Sequence, residues 1–261
     1  MLKAACEGKL VEQDPSDEPA SELLLRILAE RRAKWEADLR AKGKDPKKAK
    51  YEEPKSPDID DLPELPKGWC WVNWELILAN EEGAFRRGPF GSTLTKSIFV
   101  ESGYKVYEQY CAINDDCSFG RYYFTPEKFE EMKAFEVKAG DYLMSCSGVT
   151  LGRITRVPQQ FEKGIINQAL LRIRLNESVI DHQYFLHLFR SPLFQKLLVD
   201  SSTGTAIPNV KGVKELKAIP IALPPLAEQR RIVTEVERRL SVVQELDATL
   251  TANLARAERL R

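Results

Sequence analysis

Three short, glycine-punctuated segments hold the densest polar chemistry of the chain. Arg86-Arg87-Gly88-Pro89-Phe90-Gly91-Ser92 sets two guanidinium groups beside a glycine turn and a hydroxyl. Ser145-Cys146-Ser147-Gly148-Val149-Thr150 supplies a run of small donors, and Thr203-Gly204-Thr205-Ala206-Ile207-Pro208-Asn209 adds two hydroxyls and an amide. Cations and small donors next to glycine let a backbone approach phosphate closely, and an Asn amide can pair bidentately with an adenine edge in a major groove. Ordinary turns use the same residue types, so spacing alone leaves both readings open.

Other constellations fall short of catalysis. The two histidines, His182 and His187, stand five apart on a predicted helix and so point roughly 140° away from each other, which prevents them from sharing a metal. Cys6, Cys70, Cys111, Cys117 and Cys146 contain no C-x-x-C pair and read as reduced, structural thiols. Gly148-Val-Thr-Leu-Gly152-Arg153 lacks the Gly-Lys-Ser/Thr ending of a phosphate loop. Pro224-Pro225 is flanked by Leu223 and Leu226, which can neither hydrogen-bond a target amine nor stack a flipped base as an amino-methyltransferase loop must. A rigid elbow between strand and helix accounts for the prolines. Asp58, Glu64 and Lys67 have the wrong spacing for a metal-dependent nuclease.

Charge gives no general attraction to a polyanion. Lys plus Arg and Asp plus Glu both number 39, so nucleic-acid contact has to come from a local patch. With 43% hydrophobic residues in 261 the chain can bury a substantial core, which excludes wholesale disorder. No apolar run reaches the ~20 residues of a membrane span and Met1–Leu10 lacks the pattern of a signal peptide, so a cytoplasmic protein without membrane contact is expected.

The elements that must position the three loops form an α+β pattern. Ser21 is expected to cap a helix that runs to about Lys42 and stops at Gly43, within an N-terminal helical segment over 1–43. A linker follows over 44–67, where Pro46, Pro54, Pro57, Pro63 and Pro66 forbid a long helix or central strand. A mixed α/β domain is expected over 68–225. It opens on a strand whose Trp69, Trp71 and Trp74 share a buried face, followed by apolar runs at Tyr104–Ile113, Tyr142–Ser145, Arg153–Val157 and Ile165–Leu175. Thr125-Pro126-Glu127 reads as the start of a helix to about Ala134, and Asp181 as the cap of another. From 226 to 261 a 3–4 spacing of Val233, Val236, Leu240, Val243, Leu250 and Leu254, broken only by Asp247 beside Leu246, predicts a coiled-coil helix in search of a partner.

The order of these pieces resembles the specificity subunit of type I restriction-modification systems. The resemblance rests on Gly204-Thr-Ala-Ile-Pro-Asn209, then Leu216-Lys-Ala-Ile-Pro-Ile-Ala-Leu-Pro-Pro-Leu-Ala-Glu-Gln-Arg-Arg-Ile-Val233, then the long heptad helix. Leu62-Pro-Glu-Leu-Pro-Lys-Gly-Trp69 is similar to the approach to a target recognition domain. Gly140-Asp141-Tyr-Leu-Met-Ser-Cys-Ser-Gly148 and Asn167-Gln-Ala-Leu-Leu-Arg-Ile173 are similar to its strand and loop landmarks. Such subunits usually carry two recognition domains and two helical conserved regions, whereas one domain is legible here. Leu2–Val11 and Asp17–Leu24 resemble what normally follows a conserved-region helix. The chain thus reads as one repeat cut out of phase: a half-subunit, a truncated frame or an excised piece.

The resemblance implies a chain that chooses a DNA address and performs no chemistry. Its partners would be double-stranded DNA, modification subunits that carry S-adenosylmethionine, and a restriction subunit that uses ATP and Mg, with self-association through the C-terminal helix. It assigns Arg86, Arg87, Ser92 and Lys96 to the DNA backbone and groove, and Ser145, Ser147, Thr150, Arg153, Thr203, Thr205 and Asn209 to further DNA contacts. Leu226, Ile232, Val233, Val236, Leu240, Val243, Leu250 and Leu254 are assigned to the subunit interface. The competing reading of the residues is a coiled-coil assembly protein that binds no DNA, a reading that the balanced charge also allows.

Overall fold

Short β-branched and aromatic runs separated by Gly and Pro fold into nine strands among the described residues, which in this computed structural model are 1–60, 62–89, 94–199 and 209–259. Helices α1 (Leu2–Cys6) and α2 (Ala20–Ala41) come first. The central region runs β1 (Cys70–Asn73), β2 (Phe85–Arg87), β3 (Tyr104–Tyr107), α3 (Gln109–Asn114), β4 (Tyr123–Phe124), α4 (Pro126–Glu131), β5 (Tyr142–Ser145) and β6 (Ile154–Arg156). It continues through β7 (Gly164–Ile166), β8 (Leu170–Ile173), α5 (His182–Phe189), α6 (Pro192–Leu198), α7 (Val213–Lys217) and β9 (Pro220–Leu223) to α8 (Leu226–Arg259). The strands form three sheets in the orders β1-β9, β2-β8-β5-β6 and β4-β3-β7, and the only parallel pairing among them is β3 with β7.

Trp74 anchors the largest apolar cluster. It is fully buried, with Phe85 and Phe194 at centroid distances of 5.0 and 5.2 Å and Phe185 and Phe189 at 6.1 and 6.2 Å. Truncating a side chain so enclosed typically costs about 3–5 kcal/mol. The expected face of Trp69, Trp71 and Trp74 forms only in part: β1 ends at Asn73 and Trp74 turns inward on a 3-10 turn, so Trp69 and Trp74 are both buried, with Val72 and Asn73, while Trp71 is half-exposed. Strict alternation could not have put an even-numbered tryptophan on the face of two odd-numbered ones.

Several boundaries differ from the periodicity for identifiable reasons. Pro19, not Ser21, precedes α2, and Gly43 does stop it with φ +70°. The run Tyr104–Ile113 divides into β3 and α3. Ile165–Leu175 divides into β7 and β8, which lie in different sheets. Leu170–Ile173 is buried on both faces, Arg172 included. Thr125 and Asp181 do cap their helices: Thr125 Oγ1 accepts from the Lys128 amide at 3.4 Å, and Asp181 Oδ1 from the Gln183 and Tyr184 amides at 2.9 and 3.1 Å.

The first turns of α8 are part of the core. Ile232 and Val236 are fully buried and Leu226 and Val233 pack beside them, together with Ala5, Leu23 and Ile27 from the N-terminal helices. Two polar side chains fix this junction. Glu228 accepts from the Trp69 indole at 3.0 Å; Gln229 donates to the carbonyls of Val179 (3.1 Å) and Pro224 (3.0 Å) and accepts from the Asp181 amide at 2.7 Å. Arg231 adds a two-pronged pair with Asp17 at 2.5 and 3.2 Å. From Glu237 to Leu254 every residue of α8 is exposed. The expected interface set therefore splits: Leu226, Ile232, Val233 and Val236 are used inside this chain, and Leu240, Val243, Leu250 and Leu254 remain bare.

Candidate nucleic-acid interface

Strand register gathers the polar loops at one end of the four-stranded sheet. Arg87 pairs with Leu171, Ser145 with Leu170, and Met144 with Ile154, so the end of β2, the end of β5, the start of β8 and the start of β6 lie side by side. The neighbouring sheet reaches the same edge, because Tyr107 pairs with Ile166 and the Asn167 amide bonds to the Tyr107 carbonyl at 2.9 Å. Arg87, the loop 146–153, the turn Asn167–Ala169 and the first turn of α3 thus share one surface. Gly88 must be glycine: a Cβ there would stand 1.9 Å from the Asn167 carbonyl oxygen.

The loop after β5 is fastened from several sides. Ser145 Oγ donates to the Thr150 carbonyl at 2.7 Å and accepts from the Arg153 amide at 3.0 Å, while the Gly152 amide bonds to the Ser145 carbonyl at 2.9 Å. Gln109 Nε2, from α3, donates to the Ser147 carbonyl at 2.7 Å and stands 3.5 Å from Thr150 Oγ1. Ser147 and Asn209 form a β-bridge, and the Val210 amide bonds to the Cys146 carbonyl at 3.0 Å. Gly148 holds φ +84°, a left-handed value that a side chain would strain. The Leu151 amide closes the turn on the Gly148 carbonyl at 3.2 Å, leaving Val149 and Thr150 at its apex.

Ser147, Thr150, Arg153 and Asn209 share the surface, with Arg153 exposed and the others half-exposed. Asn209 Oδ1 is buried without a hydrogen-bond partner among the described residues. Ser145 does not belong to the surface: it is fully buried and both capacities of its hydroxyl are spent within the loop. Arg86 and Arg87 do not act as a pair, because successive strand residues point to opposite faces. Burial pushes the Cys146 thiol up to about 12, against the opposing charge of Arg87. Arg86 instead meets Glu82 at 3.3 Å and lies over the Phe135 ring at 5.7 Å, in a cleft shared with Lys133, Lys138, Arg172 and Arg174. Lys96 is exposed on a 3-10 turn, Lys96–Ile98, whose Ile98 packs against the three-stranded sheet. Ser92, Thr203 and Thr205 lie outside the described residues.

Several other ionisable groups have structural partners. Arg172 is buried and donates to the carbonyls of Glu136, Gly83 and Ala134; burial pushes its pKa down to about 10. Asp141 accepts from Arg174 at 2.6 and 3.1 Å, and desolvation outweighs that pairing and raises its pKa. His182 Nε2 meets Glu177 at 2.7 Å and its carbonyl accepts from the Tyr142 hydroxyl at 3.1 Å; burial lowers the pKa of His187.

Sequence reasoning missed Gln109, Tyr110 and Val149. The pair Glu108-Gln109 interrupts the apolar run after Tyr107, and that break was the available signal for a helix start. Tyr110 is exposed and its ring lies 4.1 Å from that of Phe119. Val149 is 96% exposed.

Known proteins share this architecture. A family model described as the type I restriction modification DNA specificity domain matches residues 91–254. The specificity subunits of the type I restriction enzymes EcoEI and EcoAI from Escherichia coli are 29% and 28% identical over 96% and 95% of this chain. The match covers 41% and 39% of those proteins, so the chain spans about two fifths of their length. Among solved structures, one from a study of complex assembly and conformational transition in a type I R-M system aligns at TM-score 0.55 with 20% identity, over 92% of this chain and 54% of that one. The HsdS subunit of Thermoanaerobacter tengcongensis aligns at 0.51 with 19% identity, over 88% and 50%. These likenesses concern the fold.

Proposed function

The chain belongs to the family of type I restriction modification DNA specificity domains, and we propose on that premise that it is a sequence-specific DNA-recognition subunit. It reads one half of a bipartite site and directs adenine methylation or cleavage by partner subunits. The observation that carries this reading is the convergence of Arg87, Ser147, Thr150, Arg153 and Asn209 on one edge of two sheets, with the loop between them held stiff. A cationic rim fixes position on phosphate while fixed hydroxyl and amide groups face base edges. The balanced charge fits a subunit whose partners supply much of the phosphate grip.

In this reading S-adenosylmethionine, ATP and Mg belong to the modification and restriction subunits, and the assembly acts in the cytoplasm. No helix among the described residues is long and apolar enough to cross a membrane. The bare stripe of Leu240, Val243, Leu250 and Leu254 supports association with a second helix of the same kind, because an isolated helix would leave it in water. The test is duplex binding as a function of salt. Affinity should fall linearly on a log–log plot, and Arg153→Ala should reduce the slope by about one without lowering the melting temperature. Binding to other macromolecules with no measurable duplex affinity at low salt would favour the assembly-protein reading.

A further inference from the structure

Val149 is the most exposed of the large apolar side chains among the described residues, and it stands at the apex of the most firmly held loop on the candidate interface. Its neighbours are donors: Thr150 beside it, Arg153 at the base of the loop, and Asn209 bridged to Ser147. The turn cannot fold the side chain back. Ser145 ties the loop to itself at 2.7 and 3.0 Å, Gln109 ties it to α3 at 2.7 Å, and Gly148 fixes the approach with a left-handed φ. Val149, Ile113, Arg153, Arg190 and Gln195 are among the residues that line a cleft of about 530 Å³. A stiff apolar tip flanked by donors matches one base edge in the major groove: thymine, which presents a C5-methyl group beside the O4 acceptor.

We propose that Val149 is a base-reading residue that meets the C5-methyl of a thymine in the target. The proposal rests on the DNA-recognition reading and sharpens it by naming a residue and the base it selects. Gln109 is the positioning residue that holds the loop for this contact. Discrimination should be modest, about fourfold, the weight of one methyl group withdrawn from water.

The experiment has two stages. Duplexes bound by the full chain, co-purified with its modification subunit, are first selected from a random-sequence pool to obtain the target. Each thymine of that target is then replaced by deoxyuridine, which removes the C5-methyl alone, and dissociation constants are measured for the native chain and Val149→Ala. One uracil position should weaken the native complex about fourfold and leave the Val149→Ala complex unchanged, with melting temperatures equal. Uracil effects that are identical in both proteins, or absent at every position, or a target without thymine, would overturn the role of Val149 and leave DNA recognition standing. A native complex that selects no sequence would overturn both. Val149→Ala that weakens all duplexes equally, uracil or not, would identify a non-specific apolar wedge and refute the methyl contact.

Discussion

Replacing Ser145 with alanine separates a loop fastener from a DNA contact. The hydroxyl is buried, donates to the Thr150 carbonyl at 2.7 Å and accepts from the Arg153 amide at 3.0 Å. The substitution removes one oxygen, leaves no cavity larger than a hydroxyl, and forfeits two hydrogen bonds worth about 0.5–1.5 kcal/mol each. Ser145→Ala should therefore lose about 1–3 kcal/mol, with the melting temperature falling by roughly 2–4 °C for each kcal/mol. The loop that presents Ser147 and Thr150 loosens with it. Duplex affinity should fall less than tenfold, and the salt slope should stay at its native value, because no phosphate contact is lost. Urea denaturation together with binding titrations at several salt concentrations measures all three quantities. Native stability combined with weaker duplex binding would refute the reasoning and make Ser145 a direct DNA contact.

Three other outcomes test the packing around that edge and the helix beyond it. Gln229→Leu strands two buried carbonyls and one half-buried amide, so it should destabilise by about 3 kcal/mol or more in urea unfolding; a loss below 1 kcal/mol would mean that the junction tolerates the vacancy. Desolvation raises the pKa of Glu228 above its ordinary value, with the Trp69 indole opposing it. The folded state then holds that proton more tightly than the unfolded chain, so wild-type stability falls as pH rises from the unfolded pKa through the folded one. Glu228→Gln should accordingly gain stability relative to wild type as pH increases from 4 to 7; a difference that is flat with pH would contradict this. Leu250→Glu with Leu254→Glu should convert a self-associated chain to a monomer in light scattering while the melting temperature of the rest is kept, and unchanged mass would move the contact elsewhere.

What could be read from the sequence follows from the range of the interactions involved. Helix caps are local, so Thr125 and Asp181 were legible as residue types at fixed offsets. The Pro-Leu-Ala-Glu-Gln segment was legible as a resemblance, and its physical reason is the pair of buried tethers, Glu228 and Gln229, that join α8 to the rest. Strand membership depends on partners far along the chain. Nothing local in Ile165–Leu175 states that its two halves enter different sheets, or that Arg172 would be buried against three carbonyls. The same limit applies to the site. Small polar residues next to glycine marked the right loops, but whether a hydroxyl faces solvent, as Thr150 partly does, or closes a turn, as Ser145 does, is decided by β6 and α3. On α8 the heptad pattern ran on with a single break at Asp247, and only the tertiary structure divides it into a buried first third and a bare remainder.

Whether this chain supplies a DNA address is read out by a methylation map of genomic DNA from cells that express it with a modification subunit. A new bipartite motif carrying N6-methyladenine is expected, absent when this chain is omitted and altered when the loop 147–153 is exchanged. Methylation that is the same with and without the chain, while the two proteins co-purify, would contradict it.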